Sequence, residues 1–258
     1  MKVHTLFLVT FILFGCCFVM AKSSTPTVHT NASGLQDFSA DFSDCVESIG
    51  VGLVSIDKAR HYVPAEFILA GEGQPVTPLV VRTARCRISI DGHNDGIGRI
   101  VQIGAVIVPP DFTGDINNYT MFYYTDDLRL ALRLNLAGVF AQFDPRIVYD
   151  YDNSSTLFVR VPLPGIPTLT LSGNVTPSPV SAGSFTANWW QTTFAGTVKM
   201  STNVPVIFIG SADQTLITRT DGLLGQLIGG STMGFPIIQQ FNTFASAQMD
   251  VSGSTGTQ

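Results

Sequence analysis

What most restricts the fold of this chain is that its apolar runs are short and are interrupted by glycine and proline throughout. The 24 Gly and 14 Pro are spread through the sequence. The runs between them are rich in Val, Ile, Thr and aromatic residues, which suit a pleated, half-buried surface. This pattern predicts strands over 46–55, 79–90, 99–108, 119–124, 139–149, 156–161, 168–175, 184–190, 196–201, 204–209 and 237–245. The turn-forming stretch from Asp91 to Gly96 makes 79–90 and 99–108 a hairpin, with Arg82, Arg85 and Arg87 spread over both faces of its first arm. Only three short helices are expected, over 57–64, 126–136 and 223–228. In the second, Thr125 reads as the N-cap and Leu128, Leu132 and Leu136, with Ala131, as the buried stripe. No helix long enough for parallel βαβ units separates the strands. The expected fold is therefore mainly β: a single domain built as a curled antiparallel sheet or a closed β-barrel-like sheet, with a few short helices and an internal pocket.

Charge narrows the function classes. Lys and Arg total 14 against 19 Asp and Glu, a net charge of −5, and no basic run occurs, so a nucleic-acid partner is not expected. Residues 1–21 read as an export signal: Lys2 supplies the positive start, 6–15 the apolar core, and Val19-Met20-Ala21 a small-residue cleavage site. The competing reading is a membrane anchor, because 5–21 is uncharged, and a bacterial lipobox around Cys16 is a third. Thr5 and Thr10 interrupt the run and no stop-transfer charges follow, which favours cleavage, a secreted product and no stable membrane anchor. The organisation expected is a signal peptide (1–21), a flexible leader (22–40), one domain (41–250) and a flexible tail (251–258).

Cleavage leaves Cys45 and Cys86 as the only cysteines, open to one disulfide or to two buried thiols. Sequons begin at Asn31, Asn118, Asn153 and Asn174, and beside an export signal they point to a glycoprotein. Asp91, His93 and Asp95, and separately Asp150 and Asp152, read as exposed turn and loop residues, and no metal is expected. Neither a dinucleotide fingerprint nor a Gly-x-Ser-x-Gly elbow is present, and no cofactor is expected.

Asp57-x-Ala59-Arg60-x-x-Val63-Pro64, followed after a hairpin by Tyr124-Thr125-Asp126-Asp127, a Leu/Ala-rich helix and a glycine-containing turn, resembles the acetoacetate decarboxylase family over about residues 46–250. The resemblance implies a barrel-like fold with an internal pocket, a small-molecule ligand or substrate and a homo-oligomer. It also implies a pocket lysine that forms a Schiff base, within a Glu-x-x-x-x-Pro-Lys-Lys pattern after the helix. Here Asn135 stands in place of the glutamate, Ala141 in place of the nucleophile and Gln142 beside it, so ordinary acetoacetate decarboxylation is not expected. The ligand-binding candidates are Arg133, Asn135, Ala141, Gln142, Trp190 and Lys199. Lys199 could bring an amine near two tryptophans, or simply be a solvated strand lysine. Asn135 and Gln142 would offer neutral hydrogen-bonding groups, favouring a ligand less anionic than a β-keto acid. Two functions follow from this reading: an enzyme acting on a small carbonyl or polyketide-like metabolite without a Schiff base, or a non-catalytic binder of a lipophilic molecule.

Overall fold

A computed structural model describes residues 35–151, 155–162 and 169–254. The export signal, most of the leader, Asn31, Asp152 and Asn153 lie outside the described residues. In chain order the elements are β1 (Phe38–Ser55), α1 (Ile56–Ala59), β2 (Val76–Ile90), β3 (His93–Val106), β4 (Ile116–Thr125), α2 (Leu128–Leu136), β5 (Gln142–Phe143) and β6 (Val148–Asp150). They continue with β7 (Thr156–Val161), β8 (Leu169–Thr176), β9 (Ser181–Thr193), β10 (Gly196–Thr218), α3 (Leu223–Ile228), β11 (Thr232–Gly234) and β12 (Ile238–Ser254).

All the strands belong to one large curled sheet, ordered β12-β1-β2-β3-β4-β9-β10-β8-β7-β6. β10 also pairs with β12, which brings the two sides of the curl together, while β8, β7 and β6 run on as an open wing. The sheet is mixed where an antiparallel one was expected, because β4 runs parallel to both β9 and β5. The fold is thus a curled sheet with a wing rather than a simple closed barrel.

Local chemistry accounts for the places where elements differ from expectation. The turn between β2 and β3 is only Asp91-Gly92, both with positive φ, the backbone of a tight two-residue hairpin loop that matches strand twist. The expected strand 139–149 divides into β5 and β6 at Asp144-Pro145, where proline cannot join a ladder. In contrast, 196–201 and 204–209 merge into the single long β10. Pro205 falls inside a break in its register with β9, between Val204 and Ile207, so the strand bends there without ending. β1 begins inside the expected leader and β12 extends into the expected tail, because Phe38 pairs with Val251.

Two apolar clusters lie on opposite faces of the sheet. One faces into the curl and includes Val80, Ile88, Ile100, Tyr123, Trp189, Met200 and Phe244. The other includes Val81, Ile103, Tyr124 and Phe241, covered by the wing through Leu157 and Leu171 and by α3 through Leu224 and Leu227. The helix α2 closes part of the inner face with Leu130 and Leu134, each worth about 1.5–3 kcal/mol of apolar burial. Here the expected stripe is corrected: Leu128, Leu132 and Leu136 are about half exposed, and the buried residues are Leu130, Ala131 and Leu134. Leucines at every second position put leucine on both faces of the helix. What selects between the faces is the N-cap, which is Asp127 and not Thr125: its carboxylate accepts the Leu130 N–H at 2.8 Å. Cys45 and Cys86, on the neighbouring strands β1 and β2, are joined by a disulfide.

Candidate functional site

A cavity of about 290 Å³ lies inside the curl, reached by β1, β2, β4, β9, β10 and β12 together. Ile49, Val51, Val80, Trp189, Val204 and Ile209 make most of its wall apolar. Along each strand these residues point inward by alternation, and the break in β10's register after Val204 returns Ile209 to the same face.

Set in this wall is a buried ion pair. The Arg82 Nε donates to Glu47 Oε2 at 2.5 Å, and both side chains are almost wholly removed from solvent. The pair continues into a polar network. Asn242 Nδ2 donates to Glu47 Oε1 at 3.2 Å, Arg82 Nη1 donates to Gln102 Oε1 at 3.3 Å, and Gln102 Nε2 donates to Thr120 Oγ1 at 3.2 Å. Burial pulls the Arg82 guanidinium down, but the adjacent charge and hydrogen bond of Glu47 outweigh it and hold Arg82 above its ordinary value. The same burial raises the phenols of Tyr123 and Tyr149 well beyond the usual range, so both stay neutral. Asn118, Thr202 and Gln240 add neutral polar groups to the wall, and Asp115 stands at the exposed rim, where its carboxylate accepts the Thr186 N–H at 2.7 Å. The Asn118 side-chain oxygen is buried without a hydrogen-bond partner.

None of the six ligand-binding candidates lines this cavity. Arg133 pairs with Asp91 at 3.0 Å and stacks over Phe38, tying α2 to the β2–β3 hairpin, and Arg129 does the same through Asp95 at 3.1 Å. Asn135 is exposed, and its amide bridges the Ala131 and Ala141 carbonyls at 2.7 Å each, fixing the turn after α2. Ala141 is buried in the inner cluster, and Gln142 pairs in β5 with Tyr124. Trp190 faces the outer cluster and donates to Asn117 Oδ1 at 2.8 Å; its neighbour Trp189 is the one that reaches the cavity. Lys199 lies over the Trp190 ring, on the outer side, and its amine donates to Asp111 at 2.6 Å and Thr113 at 2.7 Å. Among the described residues no lysine lines the cavity. Of the sequon asparagines among the described residues, Asn118 is 1% exposed and Asn174 is exposed on β8.

Glu47 and Arg82 were within reach of the sequence. Arg82 shares its strand face with Val80, Ala84, Ile88 and Ile90, and Glu47 shares its own with Cys45, Ile49 and Val51. A charge on an otherwise apolar face requires an opposite charge nearby. That is the signal which treating β2's arginines as scattered over both faces missed.

Compared with solved structures, the chain superposes on an acetoacetate decarboxylase with a TM-score of 0.58 and 11% identity, over 84% of this chain and 89% of that one. Its fold is that of acetoacetate decarboxylase. An acetoacetate decarboxylase-like enzyme from Sphingomonas wittichii RW1 gives a TM-score of 0.56 at 11% identity, covering 86% and 92% of the two chains. The enduracididine biosynthesis enzyme MppR, complexed with the condensation product of pyruvate and imidazole 4-carboxaldehyde, gives 0.52 at 13% identity, covering 90% of each. No family model and no curated protein sequence matches the chain. The decarboxylase-like architecture implied by the Asp57–Pro64 and Tyr124–Asp127 motifs is therefore present, with sequence identity too low for the likeness to carry more than fold.

Proposed function

We propose that this protein binds a small, mainly apolar molecule inside its decarboxylase-like fold and does not form a Schiff base with it. The observation that carries the reading is the cavity itself: enclosed by six strands, mostly apolar, and with no lysine amine on its wall among the described residues. Its volume lies at the small end of ligand sites. Among the groups beside it, Arg82 is held charged, the Tyr123 phenol is neutral, and both carboxylates are engaged, Glu47 by Arg82 and Asn242 and Asp115 by the Thr186 N–H. This favours binding over turnover. Turnover of a small carbonyl compound is the second reading, supported by a neighbour whose name records a bound pyruvate-derived product.

The test uses the mature protein and 2-heptanone as the probe, read by calorimetry and by chemical shifts of the Val51 and Val80 methyls. Saturable binding that perturbs those methyls and is lost in Ala187→Trp, which puts an indole into the cavity, is the expected result. Binding that leaves the methyls and the Ala187→Trp variant unaffected would overturn it. Borohydride with acetoacetate should label no lysine; stoichiometric labelling at Lys199 would restore Schiff-base catalysis.

The wider proposal is that residues 1–21 are removed on export, that the product is secreted with a glycan on Asn174, and that it assembles as a homo-oligomer. N-terminal sequencing, glycopeptide mapping and light scattering test these three points in turn.

A further inference from the structure

We infer that the cavity selects an uncharged ligand, an apolar body carrying a single carbonyl or hydroxyl oxygen, and rejects carboxylates of the same size. This rests on the cavity being the ligand site, and it specifies what that site admits. Three charged side chains line it: Glu47, Arg82 and Asp115. Arg82 is the one cation among the described lining residues, and its charge is already opposed at 2.5 Å by Glu47. Asp115 adds a negative charge at the rim. The lining is thus negative by one charge where it is exposed and neutral where it is buried. A carboxylate entering it would leave water, pass Asp115 and meet a guanidinium whose charge Glu47 already opposes, with no uncompensated cation among the described lining residues to offset its desolvation. A cation gains little either, because the deep carboxylate is bound to Arg82 and to Asn242.

The neutral polar groups on the wall remain available. Thr202 and Gln240 can each meet one oxygen or hydroxyl, and the Asn118 side-chain oxygen is buried without a partner, so it gains from a ligand that turns a donor toward it. Around them Ile49, Val80 and Trp189 suit an alkyl or alicyclic body. Asn135 and Gln142 lie outside this lining, and the discrimination comes from the Glu47–Arg82 pair.

The experiment compares 2-heptanone, hexanoate and heptylammonium, which have equal numbers of heavy atoms, on the mature protein at pH 7. The ketone should bind at least tenfold more tightly than either ion. As pH falls through roughly 4–5, where carboxylic acids take up a proton, hexanoate should gain affinity and approach the ketone. In Glu47→Gln, which leaves Arg82 without its counter-charge, hexanoate at pH 7 should gain at least tenfold relative to the ketone. The pH series on the unaltered protein decides the matter even where that variant does not fold. Hexanoate binding as tightly as the ketone at pH 7, or showing no gain on acidification, overturns the inference and leaves the binding site in place. Failure of all three compounds removes the binding reading and this inference with it.

Discussion

Replacing Arg82 with methionine isolates what the buried ion pair contributes. The substitution keeps most of the side-chain volume and removes the charge, leaving Glu47 about 6% exposed with Asn242 as its remaining donor. Breaking a buried pair from one side costs about 3–5 kcal/mol, most of it the desolvation of the carboxylate left behind. For a chain of this size each kcal/mol moves the melting temperature by about 2–4 °C, so Arg82→Met should melt about 6–20 °C below the parent at pH 7. Adding Glu47→Gln removes the stranded charge and keeps an acceptor for Asn242. The double variant should recover more than half the loss, with a residue of about 1 kcal/mol for the partner Gln102 has lost. Urea melts of the parent, both single variants and the double variant at pH 7 complete the cycle. A loss under about 1 kcal/mol for Arg82→Met, or a double variant that recovers none of it, would refute this account of the pair.

A Cβ at Gly104 would lie well inside contact distance of the Tyr119 carbonyl oxygen and 2.8 Å from Trp189, so Gly104→Ala should cost at least about 3 kcal/mol in urea unfolding, whereas Gly230→Ala, with nothing near, should stay within about 0.5 kcal/mol. Asp127→Ala removes the α2 cap and should cost about 1 kcal/mol, rescued in large part by Asp127→Asn or Asp127→Ser. Desolvation tends to raise Asp111, but hydrogen bonds from Lys199 and Thr113 outweigh it and hold the carboxyl below its usual range; the stability this gives is present above the unfolded value near 3.9 and is lost as pH falls through the lowered folded value. Lys199→Met should return the Asp111 titration, followed by carboxyl NMR, toward normal. Glycopeptide mapping of folded protein from a eukaryotic host should find a glycan on Asn174 and none on Asn118.

The strand composition and turn residues were enough to read a mainly β single domain with three short helices. α3 falls at residues 223–228 as the pattern predicts, closed by Gly229 in the left-handed conformation. Tertiary pairing was beyond a local pattern. Nothing near Ile116 announces that it lies parallel to Ala187, and nothing in 196–209 announces that a proline can bend one long strand instead of dividing two. The helix face was ambiguous for a different reason: with leucine at alternate positions the periodicity supports either side, and a capping carboxylate decides. Asn135, Ala141 and Gln142 correspond to a catalytic segment of the resembled family, but Asn135 fixes the turn after α2, Arg133 ties α2 to the hairpin, and the cavity lies elsewhere in the curl. Strand alternation, applied to the two buried charges, was the better guide.

The ladder between β1 and β12 runs from Phe38–Val251 to Val51–Ile238, so the first described strand is flanked on one side by the last. A ribosome adding about 5–20 residues per second needs roughly 10–40 s to make the chain between those partners. Throughout that interval β1 can pair with β2 but carries one bare edge, and β10, which shares β12, carries another. Completion of the fold therefore waits for the synthesis of β12. A chain cut short just before Ile238 would lose the partner of two strands at once and open the curl on the side where the cavity is enclosed.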